Sequence, residues 1–149
     1  MSWRLLDRLV ACEPGRSAVG EKTFPADDPI FADHFPGFPT VPGVLQIEMI
    51  ATTGGKALKL AAPDRLPMLA AVKSAKFHRR IAPGELCRVS VEITQLHADR
   101  AAAEGTVEVD GERAAQATVL YALAPGTPAT GTDPVLEAWR GGRPGEDER

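Results

Sequence analysis

Two side chains in the first third of the chain have the types and the setting for proton chemistry, His34 and Glu48. His34 follows Asp33 and opens the run His34-Phe35-Pro36-Gly37, inside a segment from Pro25 to Gly43 stiffened by five prolines. Each proline fixes φ and removes a backbone donor, so the segment reads as a rigid shaped loop. Imidazole is the natural base at neutral pH. Glu48 is the only charged residue between His34 and Lys56, on a segment whose apolar residues recur with helical spacing. A lone carboxyl on such a helix is costly to bury ionised, so desolvation raises its pKa and suits it to act as a general acid. Between them, Pro42-Gly43 starts a helix whose first amides point outward and can hold an oxyanion. A base, an acid and an oxyanion donor are the parts needed to remove a proton α to a thioester carbonyl and expel a β-hydroxyl.

The elements that must position these groups follow from the pattern. A first strand is expected from about Arg16 to Phe24. A helix then starts at Pro42, with Val44, Ile47, Ala51 and Leu58 as its apolar stripe and Gly54 and Gly55 allowing close approach of another backbone. Further strands are expected in Met68–Ile81, Leu86–Leu96, Ala101–Val109 and Ala114–Leu123. The last two are joined at Asp110-Gly111, a strong hairpin signal. One strand, a long helix and a run of antiparallel strands make an α+β domain, a helix laid on a curled sheet. The pattern divides the chain into one domain over residues 1–125 and a loosely ordered Pro-, Gly- and charge-rich tail over 126–149, with one helical turn near Pro134–Arg140.

Composition narrows the function classes. The 149 residues suffice for one core without disulfide or metal. A net charge of −3 argues against a general nucleic-acid binder. Cys12 and Cys87 form neither a disulfide framework nor a zinc motif, and Cys87 reads as an inert strand residue. No apolar run has membrane-spanning length, and the N-terminus does not read as a signal peptide, so a cytoplasmic protein is expected. Asp27, Asp28, Asp33 and His34 do not read as a metal site. His78 and His97 are expected at the surface.

The run His34-Phe-Pro-Gly-Phe-Pro-Thr-Val-Pro-Gly-Val-Leu-Gln-Ile-Glu48 closely resembles the active-site segment of the FabZ-type 3-hydroxyacyl-[acyl-carrier-protein] dehydratases. Asp28-Pro-Ile-Phe31, Lys76-Phe-His-Arg-Arg80 and Pro83-Gly-Glu-Leu86 resemble further landmarks of that family, and the likeness extends from about Ser17 to Leu123. The resemblance implies a hot-dog fold, a long central helix wrapped by a curled antiparallel sheet. It implies a homodimer or trimer of dimers, with His34 of one copy working beside Glu48 of the other. In that reading His34 takes the α-proton, Glu48 orients or protonates the leaving hydroxyl, and the Gly43 amide holds the thioester oxygen. Val44, Phe35, Pro36 and Thr52 line the substrate. No cofactor or metal is implied, because the substrate rides on the phosphopantetheine of acyl carrier protein or on coenzyme A. Lys73, Lys76, Arg79 and Arg80 are read as a basic patch that docks the acidic carrier. FabA-type dehydratase–isomerases carry Asp in place of Glu48, which points away from isomerisation.

Two departures stand out. Asp33 replaces the usual Gly before the histidine, and Thr52 replaces the usual Gln four residues after the glutamate, which threatens a hydrogen bond near the acid. They leave room for a non-catalytic acyl-binding partner subunit, and Glu48 activating water would make the alternative of a hot-dog thioesterase.

Overall fold

The computed structural model describes residues 4–126 and 133–141. Six strands form one antiparallel sheet: β1 (Arg8–Glu13), β2 (Ser17–Thr23), β3 (Arg65–Phe77), β4 (Leu86–Leu96), β5 (Arg100–Val109) and β6 (Glu112–Pro125). Their spatial order is β1-β2-β4-β5-β6-β3. The long helix α1 (Gly43–Ala61) lies in the curl of the sheet and touches all six strands. A short helix α2 (Pro134–Gly141) packs beside β1. This is the expected hot-dog arrangement, and the sheet is not closed.

The strand pattern follows from side-chain alternation. On β4, Val89 and Val91 are buried while Arg88 and Glu92 face out, as the sequence predicts. Asp110 and Gly111 both take positive φ, 53° and 78°, which gives the tight turn between β5 and β6 the twist that a two-residue hairpin needs. Strand β1 is missing from the sequence reading. It precedes the Pro14-Gly15 turn, and Gly15 sits at φ 77°. The expected strand Met68–Ile81 begins earlier and stops at Phe77, and it pairs along β6 rather than with its neighbour β4.

The buried face of α1 is rotated from the expected stripe. Leu45, Met49, Ile50, Thr53 and Ala57 join Ala51 and Leu58 in the core, whereas Val44 is 71% exposed. Small residues after Ile50 let the helix sink into the sheet on most sides, so apolar spacing alone did not fix its phase. Val44, Glu48, Thr52 and Lys56 instead form one row at four-residue steps on the outer side. Pro42 is the residue before the first helical turn rather than the first within it.

The main core lies between α1 and the sheet and includes Phe24, Val41, Ile81, Val107 and Val119. A second cluster joins Leu6, Leu9 and Ala57 to Val135 and Leu136 of α2. The expected tail thus contains two buried apolar side chains on a helix of two turns. Residues 127–132 and 142–149 lie outside the described residues.

Gly54 is a point of close approach, but to side chains rather than to the expected backbone, and Gly55 has only Pro67 Cγ at 3.7 Å from where its Cβ would be. A Cβ at Gly54 would meet Tyr121 Oη at 2.6 Å and Val91 Cγ1 at 2.9 Å. Tyr121 is buried and its hydroxyl donates to the Ala51 carbonyl at 2.6 Å, so it cannot swing aside freely. Gly54→Ala is expected to lower stability by about 1–3 kcal/mol in spite of the better helix propensity of alanine. In a Tyr121→Phe background, where the obstructing oxygen is gone, the same change should cost less. Urea denaturation of the four proteins of this double-mutant cycle measures that coupling, and strict additivity would contradict the contact.

Candidate active site

The loop between β2 and α1 is held by its own backbone and by one arginine. Asp28 accepts from the Ile30 amide at 3.0 Å and caps a single 3-10 turn, Pro29–Phe31, which occupies that side chain structurally. The Phe35 and Phe38 backbones bond to each other at 3.1 and 2.8 Å, and the Thr40 amide donates to the His34 carbonyl at 2.8 Å. These bonds close a compact ring around Pro36 and Gly37. Arg80 then reaches in from the segment after β3. Its Nε donates to Thr40 Oγ1 at 3.0 Å, a terminal nitrogen bonds the Pro39 carbonyl, and its guanidinium lies 3.9 Å over the Phe38 ring.

This ring selects the tautomer of His34. The Thr40 carbonyl is an acceptor only, and it lies 3.1 Å from His34 Nδ1. Nδ1 therefore carries the proton of a neutral ring, which leaves the Nε2 lone pair free to accept one. The imidazole is half-buried and stacks on Phe35 with ring centroids 4.0 Å apart. Phe35 and Pro36 are exposed beside it, and Asp33 is exposed.

Helix α1 starts directly behind this loop. The Leu45 and Gln46 amides reach back to the Pro42 carbonyl at 3.1 and 3.3 Å, which leaves the Gly43 and Val44 amides ahead of the intrahelical ladder. The Phe77 ring lies over this helix start, 3.0 Å from where a Gly43 Cβ would be, so only glycine keeps the amide and ring so close. Buried Gln46 donates to the Val41 carbonyl at 3.2 Å and ties the loop's end to the helix.

Glu48 occupies a different hollow. It lines a pocket of about 430 Å³ between α1, β3 and α2, with Thr52 and Tyr121 as neighbours. Burial raises its pKa above the ordinary carboxylate range, and a hydrogen bond from Thr52, 3.5 Å away, partly opposes that. The threonine thus supplies the contact that loss of the usual glutamine put in doubt, over a long distance. Burial also raises the Tyr121 hydroxyl, with a smaller push from Glu48. His34 is not among the residues lining this pocket within one protomer.

The four cations read as one basic patch separate into two pairs. Arg79 is bonded to Glu85 at 2.9 Å, and Arg80 clamps the His34 loop through the neutral acceptors of Thr40 and Pro39. Lys73 and Lys76 stand exposed on β3. His78 and His97 are exposed as expected, and buried Cys87 is held as a thiol, its pKa pushed up to about 12 mainly by desolvation. Among the described residues, no three His, Cys, Asp or Glu side chains converge as metal ligands, and no helix is long and apolar enough to cross a membrane. Sequence reasoning missed Thr40, the clamp by Arg80, and Tyr121. Tyr121 is the one tyrosine of the chain and stands among aliphatic residues on β6, a signal that a polar tip was being placed there.

Comparisons with known proteins bear on the family and the fold. Residues 11–114 match the model of the ApeI-like family, described as ApeI dehydratase. The chain is 37% identical over 121 residues to the 3-hydroxyacyl-[acyl-carrier-protein] dehydratase FabZ of Clostridium acetobutylicum, covering 80% of this chain and 86% of that one. It is 38% identical over 122 residues to the FabZ of Pelotomaculum thermopropionicum, with the same two coverages, 80% and 86%. Among solved structures, the dehydratase heterocomplex ApeI:P of Xenorhabdus doucetiae aligns with a TM-score of 0.57 at 18% identity, over 72% of this chain and 88% of that chain. The smu.793 protein of Streptococcus mutans, bound to acetyl CoA, aligns with a TM-score of 0.64 at 12% identity, over 81% and 90%. These two likenesses show the fold. The family follows from the sequence matches, which span the loop of His34 and the helix of Glu48: the chain belongs to the FabZ- and ApeI-like 3-hydroxyacyl-[acyl-carrier-protein] dehydratases.

Proposed function

We propose that this protein removes water from a 3-hydroxyacyl thioester, carried on acyl carrier protein or coenzyme A, to give the trans-2-enoyl thioester. It is a hydro-lyase in this reading, cofactor-free and working in the cytoplasm. The observation that carries the proposal is the pairing of states. His34 has its Nδ1 proton committed to Thr40, so Nε2 is an open base. Glu48 sits in a pocket that favours its protonated form. His34 Nε2 takes the α-proton, the Gly43 and Val44 amides receive the charge growing on the thioester oxygen, and the Glu48 carboxyl protonates the departing β-hydroxyl. The C–O bond breaks as the α,β double bond forms, and water leaves. Asp33 faces solvent and Thr52 still bonds Glu48, so neither departure from the family pattern removes a working part.

The site is completed by a second copy. Strand β3 is a sheet edge thirteen residues long, with Met68, Leu69 and Val72 exposed along it and Val44 and Phe77 exposed near the helix start. A long apolar edge of this kind invites edge-to-edge pairing. Pairing two β3 strands brings the His34 loop of one protomer toward the Glu48 pocket of the other. A Met68→Lys, Val72→Glu variant is expected to run as a folded monomer in light scattering and to lose at least about 100-fold in turnover. A monomeric variant with full activity would refute the shared site.

Turnover of a panel of 3-hydroxyacyl thioesters by the purified protein tests the function directly. Enoyl product with the thioester intact supports dehydration. Thiol release without enoyl product would make it a thioesterase, and acyl binding without any product would make it a partner subunit. Within the same assay, Arg80→Gln is expected to lower kcat about tenfold while KM changes little, because Arg80 positions the His34 loop and does not touch substrate. Arg80→Lys, which keeps one donor to the loop, should recover part of that loss.

A further inference from the structure

The Glu48 pocket has an unusual far end. From Glu48 the wall of α1 runs through Ala51, Thr52 and Gly55 to Lys56, about 12 Å along the helix axis. The middle of the pocket is apolar, faced by Leu66, Pro67 and Leu69 of β3 and by Leu136 of α2. Beyond it stand three cations, Lys56, Lys59 and Arg140, against two carboxylates, Asp133 and Glu137, and Arg140 and Glu137 form a half-exposed ion pair at 3.9 Å. Lys56 is tied to Asp133, whose carboxylate also accepts from the Val135 and Leu136 amides at 3.0 and 3.2 Å and so anchors the start of α2 on α1. Lys59 gives two of its protons to the Pro63 and Arg65 carbonyls, at 2.6 and 3.0 Å. Lysine carries three donors, so these bonds leave two on Lys56 and one on Lys59 to be satisfied. Helix α2, which supplies Asp133's neighbours and Arg140, lies beyond the residues that match the family model.

We propose that this pocket takes an acyl group that is apolar along its length and ends, about 12 Å from the carbon beside Glu48, in a hydroxyl or carboxylate received by Lys56 and Arg140. The proposal rests on the dehydratase reading for the chemistry at Glu48, but the end-group preference is set by the walls alone. A methyl terminus at this depth would strip water from charged groups and return no hydrogen bond, which is unfavourable. A hydroxyl or carboxylate replaces that water, and the one positive charge in excess favours the carboxylate. Short of the far end the polar side chains that line the pocket are Thr52 and Tyr121, whose hydroxyl protons go to Glu48 and to the Ala51 carbonyl.

The test uses the full chain and three coenzyme A thioesters of one 3-hydroxyacyl length, ending in methyl, hydroxyl or carboxylate. Turnover is measured, and binding is measured by calorimetry. The polar-ended pair is expected to show kcat/KM and affinity higher by about fivefold or more, the worth of one added hydrogen bond. Arg140→Met leaves the Lys56–Asp133 tie intact and should shrink that ratio. A Lys56→Met, Asp133→Leu variant removes both partners of the tie and should abolish it, with circular dichroism confirming the fold. Dehydration with equal or better use of the methyl-ended thioester overturns this inference and leaves the dehydratase reading standing. A polar-end preference in binding without dehydration overturns the dehydratase reading alone. A preference that survives both variants, or no binding of any of the three, overturns the inference.

Discussion

His34→Ala should lower kcat for enoyl formation by about 1,000-fold, within the range expected when a positioned general base is removed, while thioester affinity changes little. The expectation comes from how the ring is held. Thr40 takes the Nδ1 proton at 3.1 Å, Phe35 stacks on one face at 4.0 Å, and Arg80 braces the loop through Thr40 and Phe38. All of this presents one nitrogen, Nε2, in one orientation, and none of it would be needed for a surface histidine. His34→Gln is the sharper control, since it keeps a polar side chain of similar reach but offers no basic lone pair. It should be as inactive as the alanine variant. Coupled spectrophotometric assay of both proteins, with calorimetric binding of the thioester, separates loss of chemistry from loss of substrate. A rate within tenfold of the parent for either variant would remove His34 from the mechanism.

The parts of this site that were legible in the sequence are those written in local chemistry. Five prolines announce a rigid loop, a lone glutamate on an apolar helix announces an acid with a shifted pKa, and Asp110-Gly111 announces the hairpin that the positive φ values confirm. Strand β4 falls on its expected bounds because its alternation is clean and one face is buried. What escaped is set by long-range packing. The phase of α1 depends on how deep its small residues let it sink, and periodicity cannot report depth. Arg80 looked like a surface charge because its partners, Thr40 and the Pro39 carbonyl, lie about forty residues earlier in the chain. The apolar pair Val135 and Leu136 sits in a region whose composition reads as tail, yet Lys56 and Asp133 are joined across 77 positions and bring it onto the helix. No spacing rule connects residues that meet only through the curl of the sheet.

Glu48→Gln should pull activity and stability in opposite directions. Glutamine keeps the size and a hydrogen-bond acceptor for Thr52, but it cannot deliver a proton to the leaving hydroxyl, so kcat is expected to fall by about 100- to 10,000-fold. The stability effect follows from linkage. Burial raises the folded-state pKa of Glu48 above the value of 4.5 for a free side chain. In the pH window between those two values the folded chain holds a proton that the unfolded chain has released. Folding stability from this group is therefore intact below the unfolded pKa and is lost as pH rises through the folded one. Above its folded-state pKa the parent carries an ionised, half-buried carboxylate, and the neutral amide does not. Thermal melts should then show Glu48→Gln above the parent at pH 8 and the two converging toward pH 4, with the slope between carried by the parent alone. A protein that is less active but more stable at high pH is the signature of a group kept for function at a cost to the fold. If Glu48→Gln instead melts lower than the parent at every pH, the carboxylate is a stabilising structural group. The acid would then have to be sought elsewhere in the pocket.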